Sequence, residues 1–203
     1  FDKTGTRFAH FGVGMALGGG GNKVFNLARL LKTCGYDCCI LMDSDIDNEE
    51  AEKDEMGKLG IKVFSWDKGN AIEEQIFQDA TIQCAEQLIA YAVELKGIQS
   101  VEALLNNEFS GEPKEYKVDN GAIVLCGNDK GEVSKDFLRR IGKVAKGKFN
   151  KKKNDYEGCW FKRIDRGQEI GRILFSSKEQ IYAGSTFRKI MSGMLKWVNS
   201  NEG

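Results

Sequence analysis

The sequence predicts an α/β fold, on three observations. Short apolar runs alternate with stretches of helical periodicity through residues 7–80, the order that a parallel sheet covered by helices imposes. Residues 38–47 read CCILMDSDID, an apolar run that passes directly into acids at alternate positions. Such a run describes a strand buried on both faces, and the carboxyl end of a strand is where open α/β sheets place their ligands. Four consecutive glycines, Gly18 to Gly21, separate an apolar stretch from a helical one, which lets a backbone come close to a neighbour.

The elements follow in order. Residues 7–17 (RFAHFGVGMAL) predict a buried strand. From Lys23 a helix begins, with Val24, Leu27, Ala28, Leu30 and Leu31 at helical spacing, and Gly35 marks its exit. Residues 37–42 form the next strand. Residues 48–59 are charged, with Ala51, Met56 and Leu59 as sparse apolar positions, and predict an exposed helix closed by Gly60. Residues 61–66 (IKVFSW) alternate as a strand, and residues 70–80 form a second acidic helix with Ile72, Ile76 and Phe77 on one face.

Beyond Thr81 the texture changes. Amphipathic helices are predicted over 82–95 and 101–106, then a polar stretch around the only proline, Pro113, and a short strand within 118–125. A helix over 133–145, a basic loop over 146–154 (KGKFNKKKN) and a closing amphipathic helix over 187–198 complete the chain. The expected organisation is an α/β core over residues 1–80, with residues 81–203 as a mostly helical elaboration of the same module.

Composition narrows the function classes. Lys plus Arg equals Asp plus Glu, at 30 each, so attraction for a polyanion has to come from local patches. The six cysteines form no CxxC pair and read as small core residues in a reducing compartment, without a zinc site or disulfide framework. The one histidine, His10, lies in an apolar run, which argues against His-based metal cages and Ser-His-Asp triads. No stretch has the length of a membrane span and no signal-peptide pattern opens the chain, so a cytoplasmic location and no membrane partner are expected.

The candidate chemistry is acidic and basic. Asp43 and Asp45 stand two apart at the end of a strand, so both can reach one cation, with Asp47 further out. Carboxylate oxygens at this density suit Mg²⁺ or Mn²⁺. Glu73 and Glu74 open the helix after the following strand. They either complement its dipole or add to an acidic rim at the same sheet edge. GGGGNK matches neither GxGxxG nor a P-loop, and is either a phosphate-contacting turn or a simple one. Lys162 and Arg163, in CWFKRIDRG, and Lys189 beside Arg188 are surface cations or stabilisers of a phosphate. Residues 146–153 hold five lysines that either follow a phosphate backbone or form a solvated loop.

Taken in order, GGGGNKVFNLARLLKTCGYDCCILMDSDID, a helix, IKVFSW and NAIEEQIF resemble the Toprim domain of the OLD (overcoming lysogenization defect) family of ATP-dependent nucleases, most strongly over residues 12–80. WFKRIDRG and the closing helix are similar to the family's carboxy-terminal part. The resemblance implies a two-metal nuclease using Mg²⁺ or Mn²⁺, with Asp43 and Asp45 as the DxD ligands. Glu73 would be the next acidic residue, with Glu74 its less favoured neighbour, and Lys162 would act at the scissile phosphate in preference to Lys189. It also implies DNA or RNA as substrate, a homo-oligomer, a role in anti-phage defence, and an ABC-type ATPase in the parent protein, where alone ATP would bind. One departure stands out. Toprim domains begin with a strand ending in a glutamate before the glycine turn, whereas Asp2 is the only acid in residues 1–17; the resemblance therefore implies that this strand, like the ATPase, lies upstream of Phe1.

Other readings remain open at this level. DxD also opens haloacid-dehalogenase-like phosphatases, which expect Thr or Val where Asp47 stands. It occurs too in sugar-nucleotide glycosyltransferases, which expect a longer nucleotide-binding half. A catalytically incomplete Toprim-like scaffold is the non-enzymatic alternative.

Overall fold

A computed structural model of the chain describes residues 11–19, 22–44, 49–128, 131–152, 155–161 and 164–200. It is a mixed α/β structure, and it divides into two compact units. One comprises the residues up to Gly69 and those from Lys189 on; the other is Asn70–Arg188.

The first unit is built on a β-α-β segment. Helix α1 (Lys23–Thr33) leads into β1 (Cys39–Met42), α2 (Glu49–Lys58) and β2 (Lys62–Ser65). β1 and β2 pair in parallel, Ile40 opposite Val63 and Met42 opposite Ser65. Alternation along β1 sends Ile40 and Met42 to one face, where they meet Phe25 and Ala28 of α1, Met56 of α2, and Ile61. Phe25 and Met56 are fully buried, each contributing about 1.5–3 kcal/mol of transfer free energy. Both helices stop at a glycine. Gly35 N–H donates to the Lys32 carbonyl and Tyr36 N–H to Leu31, and Gly60 and Ile61 repeat the pattern on Gly57 and Met56. This exit needs a left-handed residue, and Gly35 and Gly60 have φ of 87° and 71°. On the opposite face Phe64 is buried beneath α8 (Thr186–Ser200), which carries Gly193 there; a Cβ at that position would lie 2.8 Å from the Phe64 ring.

Two expectations for this unit are corrected. Residues 11–17 are not a strand, and Met15 and Leu17 are 87% and 91% exposed. Glycine at 12, 14, 18 and 19, with Gly12 and Gly19 at positive φ, opposes extended pairing. The parallel sheet is therefore a two-stranded pair among the described residues. β1 is also not buried on both faces, since Leu41 is 39% exposed.

The second unit is mainly helical: α3 (Ile72–Asp79), α4 (Ile82–Lys96), α5 (Ile98–Glu108), α6 (Lys135–Lys146), α7 (Ile164–Phe175) and the first residues of α8. Thr81 caps α4 by accepting from Cys84 N–H, and Ser134 caps α6 by accepting from Phe137 N–H. Two antiparallel hairpins interrupt the helices, β3 (Tyr116–Asp119) with β4 (Ala122–Leu125), and β5 (Lys148–Asn150) with β6 (Asp155–Glu157). The single strand expected over 118–125 is thus a hairpin. It turns at Asn120 and Gly121, both at positive φ, as a two-residue primed turn requires. Within the basic loop expected over 146–154, Lys146 ends α6 and residues 148–150 form β5, while residues 153–154 lie outside the described residues.

The core of this unit includes Phe77, Leu88, Ile89, Leu105, Leu138, Ile141 and Trp160, all nearly or fully buried. The end of α3 is stitched to the approach to α8. Buried Asp79 accepts from Gln75 Nε2 at 2.9 Å and from Phe187 N–H at 2.8 Å, so its charge faces the amino end of a helix. Of the six cysteines, expected in the core, only Cys84 is buried, and burial pushes its thiol up to about 12. Cys34 and Cys126 are exposed and the rest half-buried, all of them free. Among the described residues, no helix is long and apolar enough to cross a membrane.

α3 and α6 cross at Gly142. A Cβ there would sit 2.5 Å from the Glu73 carbonyl oxygen and 2.6 Å from Glu74 Cα, both backbone atoms that no rotamer change can move. Gly→Ala inside a helix ordinarily gains about 1 kcal/mol. Here overpacking of about 1–3 kcal/mol opposes and exceeds it. Gly142→Ala should therefore lower the urea midpoint of unfolding, whereas a raised midpoint would mean that the helices can part without cost.

Candidate functional site

The carboxyl end of β1 is the first place where polar groups converge. Asp43 follows Met42 directly and is half-buried; Ser44 is buried. The Ser44 hydroxyl lies 2.7 Å from the Trp66 carbonyl oxygen and 2.9 Å from Glu49 Oε1, and its one proton serves one acceptor at a time. The Ser44 carbonyl accepts from Gly69 N–H at 2.8 Å. The loops after β1 and β2 are thereby tied together, and Asp43 stands on a braced rim.

Glu49 belongs to this rim although the sequence predicts an exposed helix there. It is buried at the start of α2 and pairs with Lys53 Nζ at 2.5 Å, one turn on, the favoured order for a helical acid–base pair. Burial pushes its carboxyl up, but hydrogen bonds from Lys53, Ser44 and Ser65, with the Lys53 charge, outweigh this and hold it below the ordinary carboxylate value. No signal in the sequence singles it out, because Glu49, Glu50 and Glu52 share the first turn of α2 and Glu49 alone of the three is buried.

Glu73 and Glu74 form the second acidic set, in the first turn of α3. Glu74 is buried and its Oε2 accepts from Ala71 N–H at 3.1 Å, half of a capping box in which Ala71 has no hydroxyl to reciprocate. Arg139 Nη1 approaches Glu74 Oε1 at 3.5 Å and Lys146 Nζ approaches Oε2 at 3.8 Å. The two cations flank Gly142 along α6, so the close helix crossing lets both reach one carboxylate. Glu73 is half-buried, with its backbone at the crossing.

Asp43 falls in the first unit, and Glu73 and Glu74 in the second. Lys189 is exposed on α8. Asp45 and Lys162 lie outside the described residues, as do Asp47, Arg163 and His10. Among the described residues no three His, Cys, Asp or Glu side chains come together to hold a metal ion. Asp43 carries the hard oxygen type that Mg²⁺ or Mn²⁺ prefers; the Glu49 and Glu74 carboxylates are engaged by lysine and arginine. In the described part of the glycine run, a Cβ at Gly18 would lie 2.6 Å from Val24 Cγ2, so packing against α1 accounts for glycine there.

Comparison of the chain with models of protein families, with curated proteins and with solved structures gave no match.

Glu49 has a testable titration. Its folded-state value is depressed, so its contribution to stability is complete above the unfolded-chain value and is lost as pH falls through the depressed one. Glu49→Gln should flatten the acid limb of the thermal midpoint measured from about pH 6 to about pH 3. A variant that tracks the wild-type curve throughout would show that the Lys53–Ser44–Ser65 bond set does not act on Glu49.

Proposed function

We propose that this chain is the Toprim-like module of a divalent-metal-dependent endonuclease that hydrolyses phosphodiester bonds of DNA. One observation carries the reading: Asp43, first of the D-S-D triplet, follows directly on the carboxyl end of β1 in a parallel β1–α2–β2 segment, the position at which α/β sheets meet their ligands. The brace of Ser44 against Gly69 and Trp66 supports it, because a metal ligand needs a rigid base. In this reading Asp43 and Asp45 hold Mg²⁺ or Mn²⁺, Glu73 completes the acidic set, and Lys162 or Lys189 faces the phosphate. Bound cations of this kind supply charge stabilisation and lower the pKa of a bound water. An ABC-type ATPase elsewhere in the parent protein, ATP bound there, a homo-oligomer and a role in anti-phage defence in the cytoplasm belong to the same proposal.

The clamping of Glu74 by Arg139 and Lys146 favours a second reading, a catalytically incomplete Toprim-like scaffold, since it engages one of the two candidate acids of α3. Titration calorimetry with Mn²⁺ separates the two: the nuclease binds the ion and loses binding in Asp43→Ala, and the scaffold shows no binding to lose.

In the parent protein, Asp43→Ala should cut Mn²⁺-dependent nicking of supercoiled plasmid by more than the roughly 10–100-fold typical of changes in groups that only support a metal ligand, with the far-ultraviolet circular dichroism unchanged. Undiminished nicking rejects the nuclease reading.

A further inference from the structure

Residues 137–154 carry eight Lys and Arg and no Asp or Glu, in a chain whose formal net charge is zero. The structure divides this run in two. Within α6 every cation of the run is paired: Arg139 with Glu74 and Asp136, Arg140 with Glu108 and Glu112, Lys143 with Glu108, and Lys146 with Glu74. On the β5–β6 hairpin that follows, Lys148, Lys151 and Lys152 are exposed and make no ion pair with any described side chain. Residues 148–157 hold four lysines against two acids, Asp155 and Glu157, so this two-stranded ribbon keeps a net positive charge of 2, with Phe149 beside it at 49% exposure.

The ribbon is firmly rooted. Gly147 has φ 77° and ψ −178°, a region open essentially to glycine alone, and a Cβ there would run into the Glu157 carbonyl oxygen and the Cys159 nitrogen. At the base Trp160 N–H donates to the Ala145 carbonyl at 2.9 Å. The Trp160 ring is fully buried, edge-on to Phe77 at 6.1 Å between centroids. At the turn, Asn150 Oδ1 accepts from Lys152 N–H and its Nδ2 donates to Glu157. A ribbon rooted in this way loses little conformational freedom on binding.

We infer that the β5–β6 hairpin is a binding surface for single-stranded nucleic acid, with Lys148, Lys151 and Lys152 on the phosphate backbone and Phe149 stacked on an unpaired base. Lysines follow phosphates without reading sequence, and an aromatic face accepts any base. A membrane surface also needs apolar area to enter the headgroups, and Phe149 is the one exposed large apolar side chain described on this hairpin. As the substrate contact of the cleavage proposed above, the assignment rests on that reading; as a binding surface it does not need Asp43.

The test is fluorescence anisotropy of the full protein with a labelled thymidine oligonucleotide in EDTA, where no cleavage occurs. The combined Lys148→Glu, Lys151→Glu, Lys152→Glu variant should bind at least tenfold more weakly, and the slope of log affinity against log salt should fall by about 2, at roughly 0.7 for each phosphate no longer neutralised. Phe149→Ala should weaken binding about tenfold. If charge reversal disturbs the circular dichroism, the three Lys→Gln changes take its place with the same slope change expected. Unchanged affinity and slope in the lysine variants overturn the inference. So does loss of binding to phosphatidylserine vesicles with oligonucleotide affinity intact, which would make the hairpin a membrane contact. Asp43→Ala should bind normally. If it also cuts normally while the hairpin variants fail to bind, the nuclease reading falls and the binding surface stands.

Discussion

Much of the second unit depends on how closely α6 lies on the first turn of α3. The approach is possible because position 142 has no side chain; a methyl group there would meet the backbone of Glu73 and Glu74. Once the axes are that close, Arg139 and Lys146 fall on either side of one buried carboxylate, and Ile141 and Leu138 are pressed into the core. The end of α6 is fixed in turn, and with it Gly147, the hairpin, and Trp160 bonded back to Ala145. Isolated ion pairs of this exposure contribute little stability by themselves. Their arrangement is better understood as a result of the crossing than as its cause.

The first unit obeys a different constraint. A two-stranded sheet cannot bury both of its faces by itself, and here α1 and α2 cover one face while the final helix covers Phe64 on the other. The polar rim depends on this packing. With Met42 and Ile40 fixed beneath it, the chain leaves β1 at a defined point, and Ser44 is buried deeply enough to bond to the loop that follows β2. The acidity of the rim is thereby partly internal. Glu49 commits its charge to Lys53 and two hydroxyls, and Asp43 stands half-buried at the strand end.

Helices with a strong stop signal are legible in the sequence: Gly35 and Gly60 end α1 and α2 through the left-handed exits expected of them. The β1–α2–β2 order is legible as well, from its apolar runs. Residues 11–17 mislead because their apolar content suggests a strand while their glycines oppose one, and in the folded chain the glycines prevail. The β3–β4 hairpin has a readable cue in Asn120–Gly121, which a one-strand reading of residues 118–125 passes over. The β5–β6 strands, three residues each, are too short for any period to show. At the candidate site, Asp43 and its strand-end position can be seen from sequence, but the burial of Glu49 cannot. A helix that is mostly charge conceals one inward carboxylate, because only the tertiary fold decides which of its acids meets Ser44.

The seat of Phe64 beneath Gly193 also has a consequence for the order of events during synthesis. A ribosome adds roughly 5–20 residues per second, so residues 61–66 emerge on the order of ten seconds before the helix that covers them. Throughout that interval the nascent β-α-β segment has one covered face and one bare aromatic face, next to the strand edges of the β1–β2 pair. Such a surface invites pairing with another chain. The sequence distance between Phe64 and Gly193 thus sets a window of vulnerability in time, which closes when the last helix arrives.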